Sequence, residues 1–198
     1  MWWIVGIGAL VVVAFVFTKF RAVSHQVQLT QAGRNHLWQS FHVLRDPALL
    51  LDRGVDERVW NDPYLLGYAQ GSLAIMTSAF GQRLNTEQKG MVIVRVLQDL
   101  AGDRYKEVCE HIDLLNGRRD AEFMRGMQHG SDVAALMANR AGPALLADPD
   151  VQKALREAPA ETRFAESVFG PADTGQSAVA GTILMRDHME RHKREAGY

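Results

Sequence analysis

The chain has 198 residues, with 22 lysines and arginines against 23 aspartates and glutamates, seven histidines, one cysteine and 47% apolar residues. A single cysteine excludes an internal disulfide and a cysteine-rich zinc site. A formal net charge of -1 lacks the basic footprint of a dedicated nucleic-acid binder, and the apolar content excludes a mostly disordered chain.

Met1 to Phe17 carry only apolar side chains and glycine, and Lys19 is the first charge. Residues 1–18 therefore read as a transmembrane anchor. At about 1.5 Å per residue they span roughly 27 Å, the short end of what crosses a hydrocarbon core of ~30 Å. Trp2 and Trp3 suit one interface, Lys19 and Arg21 the other. Met1 is followed directly by Trp-Trp, and no Ala-x-Ala site precedes Lys19, so the anchor is expected to stay uncleaved. Lys19, Arg21, Arg34 and Arg45 all precede the first carboxylate, Asp46. By the positive-inside rule the N-terminus lies outside and the body in the cytoplasm, as in a single-pass protein of a bacterial inner membrane.

Residues 19–45 contain no proline and one glycine, Gly33, and read as a basic amphipathic stem helix continuing from the anchor. Its intermittent apolar stripe is Val23, Val27, Leu37, Phe41 and Leu44, and its free face needs a partner. Asp46-Pro47 ends the stem. Residues 46–60 form a linker, and 61–198 an all-α globular domain of about five to seven helices.

Within that domain Asp62-Pro63 reads as an N-cap and first helical residue of a helix running to Phe80 before Gly81. Asn85 with Gln88 forms a capping box for the next helix. Asp103 can cap a third, ended by a left-handed Gly117, and a fourth covers 119–139. Asp148-Pro149 opens a short helix to Ala158, and a last one runs from about Thr174 and frays in Arg191-His192-Lys193-Arg194. Nothing alternates with period two between hairpin turns, so the class is all-α. Residues 65–80 are low in charge, but Gln70, Ser72, Thr77 and Ser78 favour a buried core helix over a second span.

Tyr64-Leu-Leu-Gly67-Tyr-Ala-Gln-Gly71-Ser72 and Phe123-Met-Arg-Gly126-Met-Gln-His-Gly130-Ser131 share one pattern 59 positions apart. Duplication of a helical unit and ordinary helix packing both account for it. Glycines four apart give a helix a flat strip for close approach of another backbone.

The sequence carries no P-loop, dinucleotide fingerprint, nucleophile elbow, EF-hand loop or His-Glu-x-x-His motif. No catalytic, cofactor or metal residues are assigned, and no cofactor is expected. His188 and His192, four apart, could share a metal but read as a solvated helix end. Cys109 reads as a buried structural thiol and His111 as a boundary histidine, with Glu110 beside it and His129 able to approach if the third and fourth helices pair. His36 and His42 lie about 240° apart on a helical wheel and cannot share a ligand within one chain.

The expected function is a non-enzymatic, membrane-anchored interaction protein: an accessory, assembly or scaffolding subunit of an inner-membrane complex. Its partners are the lipid bilayer and a membrane protein or a second copy, with no nucleic acid. The candidate contact residues are Gly6, Gly8, Lys19, Arg21, Trp38, Phe41, Gly67, Gly71, Gly126 and Gly130, the last four more readily serving the internal core. The alternatives are a metal-dependent enzyme or sensor using Cys109, Glu110, His111 and His129, and a homo-oligomeric membrane organiser.

Overall fold

A computed structural model describes residues 23–38, 40–41, 57–138, 148–158 and 176–195. The expected anchor, with Gly6, Gly8, Lys19 and Arg21, lies outside the described residues, as do His42, Leu44 and Asp46-Pro47. The described residues are all-α, and no strand occurs among them. Helix α1 covers 23–38 and 40–41, α2 Pro63–Phe80, α3 Thr86–Ala101, α4 Tyr105–Arg118, α5 Ala121–Met137, α6 149–158 and α7 Gln176–Glu195, with 3-10 turns at Glu57–Asn61 and Gly102–Arg104.

Several boundaries follow from local chemistry. The Asp62 carboxylate accepts from the Leu65 N–H at 3.1 Å, and Pro63 occupies a first-turn position where its missing N–H costs nothing. Asn85 and Gln88 exchange two bonds of 2.9 and 3.0 Å in the expected capping box. Two expected caps are displaced. Asp103 lies inside the 3-10 turn, and α4 starts after Arg104 with no side-chain cap. Gly117 stays helical, while Arg119 takes the left-handed conformation at φ 51°. The reason is the next helix: Asp120 donates its N–H to the Leu115 carbonyl while its side chain caps α5, so the reversal must fall one residue before it.

Helix α2 is the hub, buried on nearly every side from Tyr64 to Ala79. Helix α1 runs antiparallel along it. His25 meets the Phe80 carbonyl, Gly33 faces Leu73 and Val96, His36 stacks on Tyr68, and Phe41 packs on Trp60 and Tyr68. The expected free stripe on the stem is therefore corrected. Leu29, Leu37 and Phe41 belong to the common core, whereas Val23 and Val27 are 57% and 55% exposed.

Helix α5 runs parallel to α2 and in register with it. A Cβ on Gly67 would overlap the Phe123 carbonyl, and one on Gly126 the Tyr64 carbonyl. The same exchange recurs one turn on, Gly71 against Met127 and Gly130 against Tyr68. Each contact maps onto its reciprocal by adding 59 to the residue number, so the two motifs pack about a local pseudo-twofold axis. Helix α7 runs back along α2, with Gly181 against the Tyr68 hydroxyl and His188 on Tyr64.

Among the described residues no helix is long and apolar enough to cross a membrane, and α2 is a core helix.

Candidate functional site

The amino ends of α2 and α5, the start of α6 and the carboxyl half of α7 converge on Tyr64. Asp62 and Tyr64 come from the first turn of α2, where the cap fixes the backbone. Arg125 and His129 project from α5 one turn apart, on the side facing α2. Asp148 caps α6 by accepting from the N–H groups of Asp150 and Val151 at 2.8 and 3.1 Å. His188 continues the buried stripe of α7 made by Ala180, Gly181, Leu184 and Met185.

Tyr64 stands between two aspartate–histidine pairs. Its ring face stacks on His188, centroids 4.1 Å apart and planes 16° from parallel, and Arg125 lies 5.3 Å from the ring centroid. His188 Nε2 is 3.1 Å from Asp62 Oδ2, and its Nδ1 is 3.3 Å from the Arg125 guanidinium. A guanidinium only donates, so the imidazole proton sits on Nε2 and is given to Asp62. On the other side the Tyr64 hydroxyl and His129 Nδ1 share a bond of 2.8 Å, and His129 Nε2 is 3.4 Å from Asp148 Oδ2. A cleft of about 150 Å³ opens here, lined by Tyr64, His129, Asp150, Lys153, Glu190 and Arg191 among others.

The electrostatics follow from burial and pairing. Burial alone raises the Asp62 carboxyl, but the His188 hydrogen bond, with the Leu65 N–H, holds it below the usual carboxylate range. Asp148 behaves alike, its burial outweighed by the Val151 N–H and His129. Desolvation pushes His129 down against the pull of Asp148 and Asp150, which favours the neutral imidazole. Desolvation drives the Tyr64 phenol far up, so its hydroxyl stays protonated.

Sequence reasoning missed most of this site. It took Asp62 and Asp148 as caps only, although Asp62 meets His188 with both carboxylate oxygens and Asp148 turns the oxygen left over from capping toward His129. The shared Asp-Pro dipeptide was the available signal. His188 was expected to be solvated but is 1% exposed. The α7 stripe at intervals of three and four residues ends on this histidine, which shows why: the apolar face carries it into the core.

The other candidate residues are placed as follows. Gly67, Gly71, Gly126 and Gly130 are all buried between α2 and α5. Phe41 is 1% exposed in the core, and Trp38 is 38% exposed. Cys109, Glu110, His111 and His129 are not brought together. His129 faces Tyr64 and Asp148, while Cys109 is half-buried on α4, its thiol raised by desolvation and by Asp113. Two other groups among the described residues bring potential ligand atoms within 4.8 Å of one another: His129, Asp148 and Asp150, and Glu122, His188 and His192. His36 is buried with both ring nitrogens unpartnered among the described residues, and desolvation lowers it to about 4.

No protein-family model matches the chain, and no curated protein or solved structure matches it.

Proposed function

We propose that this chain is a single-pass inner-membrane protein of the bacterial type, with its N-terminus outside and its helical body in the cytoplasm. It acts by binding, as an accessory, assembly or scaffolding subunit of a larger membrane complex. Residues 1–18 are the anchor, and the paired glycine motifs record duplication of a helical unit.

One observation supports the reading most. Val23, Val27 and Phe80 are exposed at the end of the bundle where the chain leads back to the apolar residues 1–18, and His25 ties α1 to the Phe80 carbonyl there at 2.8 Å. Met137 closes α5 at the same end and is 39% exposed. Large apolar side chains at the end of the bundle from which the sequence leads back to an apolar segment and its basic flank, Lys19 and Arg21, suit a surface resting on lipid or on a membrane partner. The Tyr64 cleft opens at the opposite end, toward the cytoplasm in this orientation.

The test is extraction and recovery. Full-length protein tagged at its C-terminus is expected in the membrane fraction after alkaline washing, and a chain lacking residues 1–18 in the soluble fraction. Stoichiometric recovery of one membrane complex in mild detergent supports the accessory-subunit role. Recovery of the chain alone as an oligomer replaces it with a self-assembling organiser, and full-length protein in the soluble fraction overturns both.

A further inference from the structure

Two clusters near Tyr64 have the composition of a metal site, and they differ in what occupies their centre. In the group Glu122, His188 and His192, Arg125 donates to Glu122 at 2.7 Å and reaches His188 Nδ1 at 3.3 Å. A fixed guanidinium therefore stands where a cation would have to sit, and His188 Nε2 is already given to Asp62. Among the described residues, the group His129, Asp148 and Asp150 has no such plug. Arg191 approaches Asp150 at 3.6 Å, but the two side chains are 36% and 47% exposed, so the pair is weak and can part.

The geometry at His129 points the same way. Its Nε2 lies 3.4 Å from Asp148 Oδ2, too long for a good N–H···O bond. That separation equals the edge of a tetrahedron whose metal–nitrogen and metal–oxygen bonds are about 2.0–2.1 Å, which works out at ~3.4 Å. Capping α6 uses Asp148 Oδ1 and leaves Oδ2 for the ion. Asp150 follows in the first turn of α6 and lines the cleft. Behind the imidazole the Tyr64 hydroxyl holds Nδ1 at 2.8 Å, as an outer partner does for a ligating histidine. The cleft of about 150 Å³ leaves room for water on the remaining positions, each water needing about 30 Å³.

We propose that His129, Asp148 and Asp150 bind one divalent first-row transition-metal ion, with Tyr64 orienting the imidazole and the open coordination positions facing the cleft. One nitrogen and two carboxylates suit zinc, manganese or iron(II) over magnesium or calcium, which take oxygen ligands alone. Binding through Nε2 requires the imidazole proton to be on Nδ1, from which it is donated in a hydrogen bond to the Tyr64 oxygen.

The experiment uses the full chain in mild detergent, stripped with a chelator and titrated separately with Zn2+, Mn2+ and Co2+ by calorimetry, with the visible spectrum of the Co2+ form as a second readout. One ion per chain is expected. Asp150→Asn should weaken Kd at least tenfold, and Tyr64→Phe about tenfold, in the ~10–100-fold range for losing an outer partner. Glu122→Gln should leave Kd unchanged. Asp148→Asn, which retains a capping oxygen, serves if the Asp150 variant does not fold. Absence of saturable binding by the unaltered chain overturns the site. So does unchanged affinity in both aspartate variants, or loss of binding in Glu122→Gln alone, which would move the ion to the other cluster.

Discussion

The Tyr64 carbonyl oxygen of α2 lies where a Cβ on Gly126 of α5 would have to be, and the Phe123 carbonyl does the same to Gly67. Four glycines thus let two parallel helix backbones touch, a packing in which each Cα–H faces a carbonyl. The clash involves backbone on both sides, so no rotamer change relieves it. Gly67→Ala and Gly126→Ala should each cost about 3 kcal/mol or more, the upper end of overpacking penalties. Gly90, also helical, has nothing among the described residues within 4 Å of its would-be Cβ, and Gly90→Ala should stabilise by about 0.5–1 kcal/mol. Denaturant midpoints at constant m measure all three, and equal midpoints for Gly67→Ala and Gly90→Ala would remove the close approach.

The contact between Asp62 and His188 fastens the end of α7 to the start of α2 across 126 residues. Asp62→Ala removes the cap, at about 0.5–2 kcal/mol, and strands a buried imidazole N–H, at about 1–3 kcal/mol. Asp62→Asn keeps an accepting oxygen and should cost clearly less. A double-mutant cycle of Asp62→Ala with His188→Phe should give a coupling of at least about 1 kcal/mol. Additive losses would show that the two side chains do not support each other.

Stability against pH should reveal two buried groups of opposite sign. His36 falls from 6.5 to about 4 on folding because burial disfavours its charged form. The unfolded chain therefore binds the extra proton between those values, and the contribution of His36, complete above 6.5, is lost as pH falls toward 4 at about 1.4 kcal/mol per unit. His36→Phe should flatten the acid side of the stability curve.

Asp132 moves the other way. Burial, with the charge of Asp148, raises it from 3.8 to about 6 against the Gln128 hydrogen bond of 2.7 Å. The folded chain holds the extra proton in that window, so this residue destabilises increasingly as pH rises from 4 to 6. Asp132→Asn should stabilise at pH 7 by up to about 3 kcal/mol and by almost nothing near pH 4. An equal gain at both pH values would contradict the assignment.

Arg119, at φ 51°, holds a left-handed conformation that costs a side-chain-bearing residue about 1 kcal/mol or more. Arg119→Gly should raise stability by close to that amount, less the entropy that glycine adds to the unfolded chain. A thermal melt in which the variant is destabilised would show that the arginine contributes more here than its backbone strain costs.

Caps and periodicity were readable because they are local. Asp62-Pro63, Asn85 with Gln88, and Asp148-Pro149 satisfy their own helix N–H groups within three residues, whatever packs around them. The all-α class, the extent of α2 from Pro63 to Phe80 and the two Gly-x-x-x-Gly strips could be read from the chain for this reason. The pattern did not say that the strips face each other in parallel, since that depends on where α3 and α4 return the chain.

The site around Tyr64 belongs to the tertiary structure alone. Asp62, His129, Asp148 and His188 are separated by 67, 19 and 40 positions. Asp62 and Asp148 are marked locally only as helix caps, nothing local marks His129, and the charged neighbours of His188 suggest a solvated side chain. Sequence by itself determined which segments coil and where they stop, through hydrogen bonds closed within one turn. Only the packing of α2, α5, α6 and α7 decided that two aspartate–histidine pairs meet on one tyrosine, because burial and long-range contact are properties of the assembled helices.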